Sequence, residues 1–167
     1  MIKEDYKRYG MSFPGILFSW VKGHTFFVVL NYRIANWFYR HHIKLLPEMI
    51  KFRTMKRYGC EISPYATIGP GFFLPHCIGI VIGHEVVAGK NLELFQNVTI
   101  GSNRKERNGR FMPIIGNNVS IGSGAVVVGP IKIGNNVSIG ANSYVDKDVP
   151  DNAVVAGLPA KIIRYKQ

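Results

Sequence analysis

Five histidines, ten carboxylates and two cysteines are the side chains of this 167-residue chain with the widest chemical reach. A histidine is the natural group to take a proton from a hydroxyl near neutral pH. It does so best with a carboxylate on its other ring nitrogen, which fixes the tautomer and stabilises the imidazolium. His76 and Glu61, 15 positions apart, are the pair that could be arranged in this way. Cys77 adjoins His76, but neighbouring side chains on a strand point to opposite faces, so Cys77 reads as a packed thiol rather than a rival nucleophile. His24, His41 and His42 read as surface or helix-packing residues, and His84 as an exposed turn residue. His76, Cys77 and His84 make a poor ligand set, and no metal is expected.

The elements that must position His76 are legible as a repeat, sought first because a missed repeat misassigns the whole fold. Aliphatic residues recur every six positions at Ile62, Ile68, Leu74 and Ile80. The phase slips by two and resumes at Ile82, Ala88, Leu94 and Ile100. After a break it returns at Ile115, Ile121, Val127, Ile133, Ile139 and Val145. A second apolar residue often lies two positions earlier, as in Leu92/Leu94 and Val137/Ile139, so each hexad is a short strand with two inward side chains. Gly-Asn-Asn at 116–118 and 134–136 supplies turns that tolerate positive φ. One such unit cannot bury a face alone, but stacked coils can, so the period predicts a parallel β-helix. Fifteen positions is three short of an 18-residue coil, which sets Glu61 and His76 near one corner. The polar, basic break at 102–114 fits no hexad and reads as a loop extruded from the coil, a usual place for function.

Composition divides the chain at about residue 60. Residues 1–60 carry 11 Lys/Arg against 3 Asp/Glu and 13 of the 20 aromatics, whereas 14 of the 18 glycines lie beyond. Phe26, Leu30, Ile34, Trp37 and Phe38 keep helical spacing, with Arg33, Asn36 and Arg40 between them, and a second apolar set surrounds Pro47. Two or three helices are therefore expected ahead of the coil, capping its open end or making oligomer contacts. The organisation expected is a helical segment over 1–60, the coil over 61–150 and a tail over 151–167. Two cysteines without a CxxC pattern are compatible with a reducing cytoplasm and argue against a disulfide scaffold. No apolar core follows the charged N-terminus, so a cleaved signal peptide is not expected. The longest uncharged stretch, 9–21, has 13 residues, too few to span a bilayer. The basic, aromatic N-terminal part could touch an anionic membrane surface. No motif supports nucleic acid.

The hexads, with 61–76, 79–83, 97–101, the ending 156–161 and the helical Tyr32-Arg33-Ile34-Ala35-Asn36-Trp37, resemble the serine O-acetyltransferases of the hexapeptide-repeat superfamily. That resemblance implies a left-handed coil, acetyl-coenzyme A as donor and a homotrimer or a dimer of trimers. It places the catalytic histidine on His76 and its acidic partner on Glu61, where Glu stands for Asp. It places the donor groove along Gly101, Ser123 and Ala141, small residues that let a pantetheine arm approach. Lys161 and Arg164 could meet the nucleotide phosphates.

The acceptor side departs from that pattern. Pro75 stands where the family has Asp before its histidine, and Phe111-Met112 stand where its loop has Arg-His, with Arg110 one position away. No Asp lies between residues 6 and 47. An amino-acid zwitterion needs an anion and a cation, which argues against free serine. The short helical part, the Asn-Arg-Lys-rich loop and the missing acidic residues resemble the acetyltransferases of bacterial capsule and exopolysaccharide synthesis, and that resemblance implies a sugar hydroxyl of a polysaccharide or its precursor as acceptor. Serine O-acetylation for cysteine synthesis is the first alternative, and a non-catalytic scaffold or membrane-binding module the second.

Overall fold

The computed structural model describes residues 1–10 and 24–167, the His24 side chain excepted. Most of the uncharged stretch 9–21 therefore lies outside the described residues. Twelve of the fourteen hexad positions, all but Leu74 and Ile80, are the buried second residue of a strand of two or three residues. One sheet stacks β1 (Glu61–Ile62), β3 (Val81–Ile82), β6 (Thr99–Gly101), β9 (Val126–Val128) and β12 (Tyr144–Val145). A second stacks β2 (Thr67–Ile68), β4 (Val87–Ala88), β7 (Ile114–Ile115) and β10 (Lys132–Ile133). The third stacks β5 (Glu93–Leu94), β8 (Ser120–Ile121), β11 (Ser138–Ile139) and β13 (Ala153–Gly157), then turns back antiparallel as β14 (Ala160–Tyr165). All other named pairings are parallel, so the expected parallel coil is the fold.

The register explains both irregularities of the period. Ile62 pairs with Ile82 and Ile82 with Ile100, so the first coil has 20 residues and the next 18. The two additional residues fall at the corner Pro75–Ile78. Leu94 N–H donates to Phe73 O and Asn97 N–H to Ile78 O, so the first coil takes four residues, 74–77, to make the turn that the second makes with 95–96. The coil from Ile100 to Val127 is longer by nine, the extruded loop. At another corner Asn91, Asn118, Asn136 and Asn152 stack with φ near +60°, each side chain donating to the next at 2.8–3.1 Å. Asparagine is one of the few side-chain residues that holds this conformation readily.

Among the described residues three helices precede the coil: α1 (Ile2–Arg8), α2 (His24–Arg40) and α3 (Leu45–Tyr58). The left-handed Gly59 ends α3, its N–H donating to Met55 O, and turns the chain into β1. The buried stripe of α2 matches the apolar set expected from the sequence fully only at Phe26. Val29, Tyr32, Arg33 and Asn36 face inward, whereas Ile34 and Trp37 are exposed. The reason is the open edge of the first coil, whose unpaired backbone groups need partners. Tyr32 Oη donates to Ala66 O at 2.8 Å and accepts from Ile68 N–H at 3.1 Å. Asn36 Nδ2 donates to Pro64 O and Ala66 O. Arg33 donates to Ile68 O and Gly69 O, and its charge is held by Asp5 of α1 at 2.8 and 3.0 Å. The helices thus cap the coil with polar side chains.

Among the described residues, no helix is long and apolar enough to cross a membrane.

Candidate functional site

His76 stands on the enlarged corner, between Phe73, which bridges to β5, and β3. Proline cannot donate to a ladder, so the strand ends at Pro75, and the next residue is turned outward. His76 is exposed while Leu74 and Cys77 on either side are buried. Glu61 opens the coil that His76 closes, and it too is exposed.

The two are brought to one neighbourhood by their buried neighbours. Cys60 and Cys77 are free thiols, 2% and 4% exposed, in hydrogen-bond contact with each other. The hydrogen bond from Cys60 lowers the Cys77 thiol to about 7, outweighing the opposing effect of burial. The same contact and burial push Cys60 up. Cys77 faces the core, as expected of a packed thiol. No hydrogen bond or ion pair joins Glu61 to His76. His84 is exposed, 3.8 Å from the Glu85 carboxylate. His41 stacks on Trp37 and hydrogen-bonds its carbonyl, and His42 is exposed. No group of three metal-ligating side chains gathers among the described residues.

The extruded loop leaves between β6 and β7, a different corner from that of His76. Its root is fixed by Glu85, whose carbonyl accepts from Arg110 Nη2 and whose carboxylate accepts from Phe111 N–H at 2.9 Å. Arg110 Nε is buried without a partner and lines, with Arg107 and Lys132, a cavity of about 70 Å³. Met112 is 9% exposed, its sulfur packed at Gly83 and accepting from Glu85 N–H. Its side chain is engaged in packing at the root of the loop. Pro75 is half-buried. Arg107 ties the loop tip to Asp148 at 2.8 Å.

The donor-side residues fall into two groups. Ser123 and Ala141 stack on successive coils, Asn142 N–H donating to Ser123 O. Lys161 opposes Ala156, whose methyl group lies over Gly140, so it flanks the same corner. Arg164, exposed, lies further along β14 opposite Val154. Gly101 sits elsewhere, at the root of the extruded loop, with open space where a Cβ would be. One chain does not bring Gly101 to Ser123 and Ala141.

Residues 112–147 match the sequence family described as bacterial transferase hexapeptide (six repeats). The serine acetyltransferase of Synechococcus elongatus is 38% identical over 138 residues, 83% of this chain and 56% of that protein. The serine acetyltransferase of Brucella abortus strain S19, solved with coenzyme A, matches with a TM-score of 0.89 and 31% identity, over 99% of this chain and 67% of that one. The chain belongs to the hexapeptide-repeat acyltransferase family. That of Neisseria gonorrhoeae, solved with serine, matches with a TM-score of 0.87 and 31% identity, over 98% of this chain and 67% of that one. The chain spans about three-fifths of the length of the curated serine acetyltransferases it matches.

These matches correct the sugar acceptor expected from the sequence, because the homologues that match are serine acetyltransferases. That expectation rested on charges missing at single aligned positions. Glu85 and Arg110 sit together at the root of the loop, on a different corner of the coil from Pro75 and His76.

Proposed function

We propose that the chain is an acetyl-coenzyme A-dependent O-acetyltransferase acting on serine, with His76 as general base. The observation that carries this reading is the exposed imidazole on the enlarged corner, at the end of the coil that Glu61 opens. Support comes from the homologues, one solved with coenzyme A and one with serine. A serine hydroxyl is a weak nucleophile until its proton is taken in the transition state. His76 removes that proton as the oxygen adds to the thioester carbonyl. It returns the proton to the departing thiolate as the C–S bond breaks, leaving the O-acetyl ester and free thiol. Glu61 is the carboxylate that orients the imidazolium, in a contact that forms only when substrate fills the corner. Catalytic hydrogen bonds are commonly long before the substrate arrives.

The donor reading supports a left-handed coil assembled as a homotrimer. Gly101 and the extruded loop lie at one corner, and His76, Ser123 and Ala141 at another. Neighbouring copies about a threefold axis would set one corner against the other and complete a groove. Arg110, with its unpartnered Nε, is the cation for the serine carboxylate. The test is thiol release from acetyl-coenzyme A with L-serine. We expect serine-dependent release that is lost in His76→Ala. Full activity in a folded His76→Ala chain would overturn the assignment of the base.

A further inference from the structure

We propose that Tyr9 is a positioning residue for His76, holding from the open end of the coil the backbone that carries the imidazole. The inference rests on the reading of His76 as the base.

Anchors around His76 are sparse. Pro75 has no N–H, and the His76 N–H has no hydrogen-bond partner among the described residues. Beyond the corner the ladder resumes with Gly79 N–H to Gly59 O at 2.7 Å and Asn97 N–H to Ile78 O at 2.9 Å. Before it, the last fixed residue is Leu74. In the coil above, Leu94 at the same register donates down to Phe73 O. The first coil has no coil beneath it, so the Leu74 N–H points off the open edge. Tyr9 takes the place of the missing strand. Its Oη accepts from Leu74 N–H at 2.9 Å and faces Leu74 O at 3.5 Å. Burial pushes the phenol above its ordinary range, so the hydroxyl keeps its proton.

The ring is itself held, edge-on to Phe73 at 4.7 Å and to Phe26 at 5.4 Å. Its neighbours in and beside α1 act on the same strand. Asp5 accepts from Phe72 N–H at 2.8 Å, and Arg8 lies over the Phe73 ring at 5.3 Å while pairing with Glu93 at 3.3 Å. Three side chains from the N-terminus thus grip Phe72, Phe73 and Leu74, the three consecutive residues that lead to Pro75 and His76.

Tyr32 supplies the control, because it caps the same open edge at Ala66 and Ile68, on the strand of a different sheet. The experiment compares Tyr9→Phe, Tyr32→Phe and His76→Ala in the full chain. The readouts are serine-dependent thiol release at varied acetyl-coenzyme A, melting temperature and the His76 ring resonances by NMR. Tyr9→Phe should lower kcat roughly tenfold or more, since small misplacements of a reacting group cost up to about a hundredfold. Its KM for acetyl-coenzyme A should not change, and the His76 resonances should shift and broaden. Tyr32→Phe should melt lower by a similar amount with kcat and the His76 resonances unchanged. Unchanged His76 resonances in Tyr9→Phe, or equal changes in both tyrosine variants, would overturn the proposal. If His76→Ala is inactive and Tyr9→Phe is not impaired, only the positioning role fails. If His76→Ala remains active, the base assignment fails instead.

Discussion

Removing the Asp5 carboxylate tests whether polar capping holds the helices to the coil. Asp5 is 1% exposed and accepts three hydrogen bonds, from Arg33 Nε at 2.8 Å, Arg33 Nη2 at 3.0 Å and Phe72 N–H at 2.8 Å. Asp5→Ala leaves the Arg33 guanidinium buried without its counter-charge and orphans the Phe72 N–H. Taking one partner from a buried ion pair costs about 3–5 kcal/mol. Arg33 keeps two carbonyl acceptors, Ile68 O and Gly69 O, which moves the expectation to the lower end, about 3 kcal/mol. For a domain of this size that is a fall in melting temperature of roughly 6–12 °C. Asp5→Asn keeps the shape and an acceptor for Phe72 but also removes the counter-charge and sets an amide N–H against an Arg33 donor, so it should cost about as much, near ~3 kcal/mol. Urea unfolding followed by circular dichroism reads both, as a lower midpoint at unchanged slope. A cost below about 1 kcal/mol for Asp5→Ala would refute the reasoning, since a buried guanidinium cannot lose its partner so cheaply.

Three further outcomes follow from the structure. Gly101→Ala should leave stability within about 0.5 kcal/mol, because nothing lies within 4 Å of its added Cβ, yet raise the KM for acetyl-coenzyme A if the donor passes there. Gly116→Ala should be clearly destabilising in a thermal melt, because its Cβ would fall 2.8 Å from the Gly134 backbone. Asp148 is held below the ordinary carboxylate range. Partial burial opposes this, but the hydrogen bonds from Arg107 and the Lys132 N–H outweigh it. A lowered folded-state value means the anchor is intact above the ordinary Asp value near 3.9 and is lost as pH falls through the lower one. Cleavage of loop 102–113 should therefore accelerate with pepsin below about pH 4, and with trypsin at neutral pH in Asp148→Asn.

The coil was legible in the sequence because its inward pairs repeat at a fixed interval. Even its irregularities left marks: the slip of two became the enlarged corner under His76, and the break became the extruded loop. The helices were legible as elements, but the buried face of α2 was not. Hydrophobic spacing selects Ile34 and Trp37, whereas the open coil edge demands hydrogen-bonding side chains and draws in Tyr32, Arg33 and Asn36. The role of α1 left one local trace, Asp5, Arg8 and Tyr9 at helical spacing, whose partners lie more than 60 residues away. The sugar acceptor was inferred from charges missing at Pro75, Phe111 and Met112 and from a resemblance, and it is the serine acetyltransferase homologues that correct it.

The central claim is that an imidazole on the enlarged corner moves the acceptor proton. Its most direct test is the rate of L-serine-dependent thiol release from acetyl-coenzyme A by the native chain and by His76→Ala, with melting curves for both. The account predicts turnover with serine that falls at least about a hundredfold in His76→Ala, at an unchanged melting temperature. Release indifferent to serine, or a His76→Ala chain as fast as the native one, would contradict it.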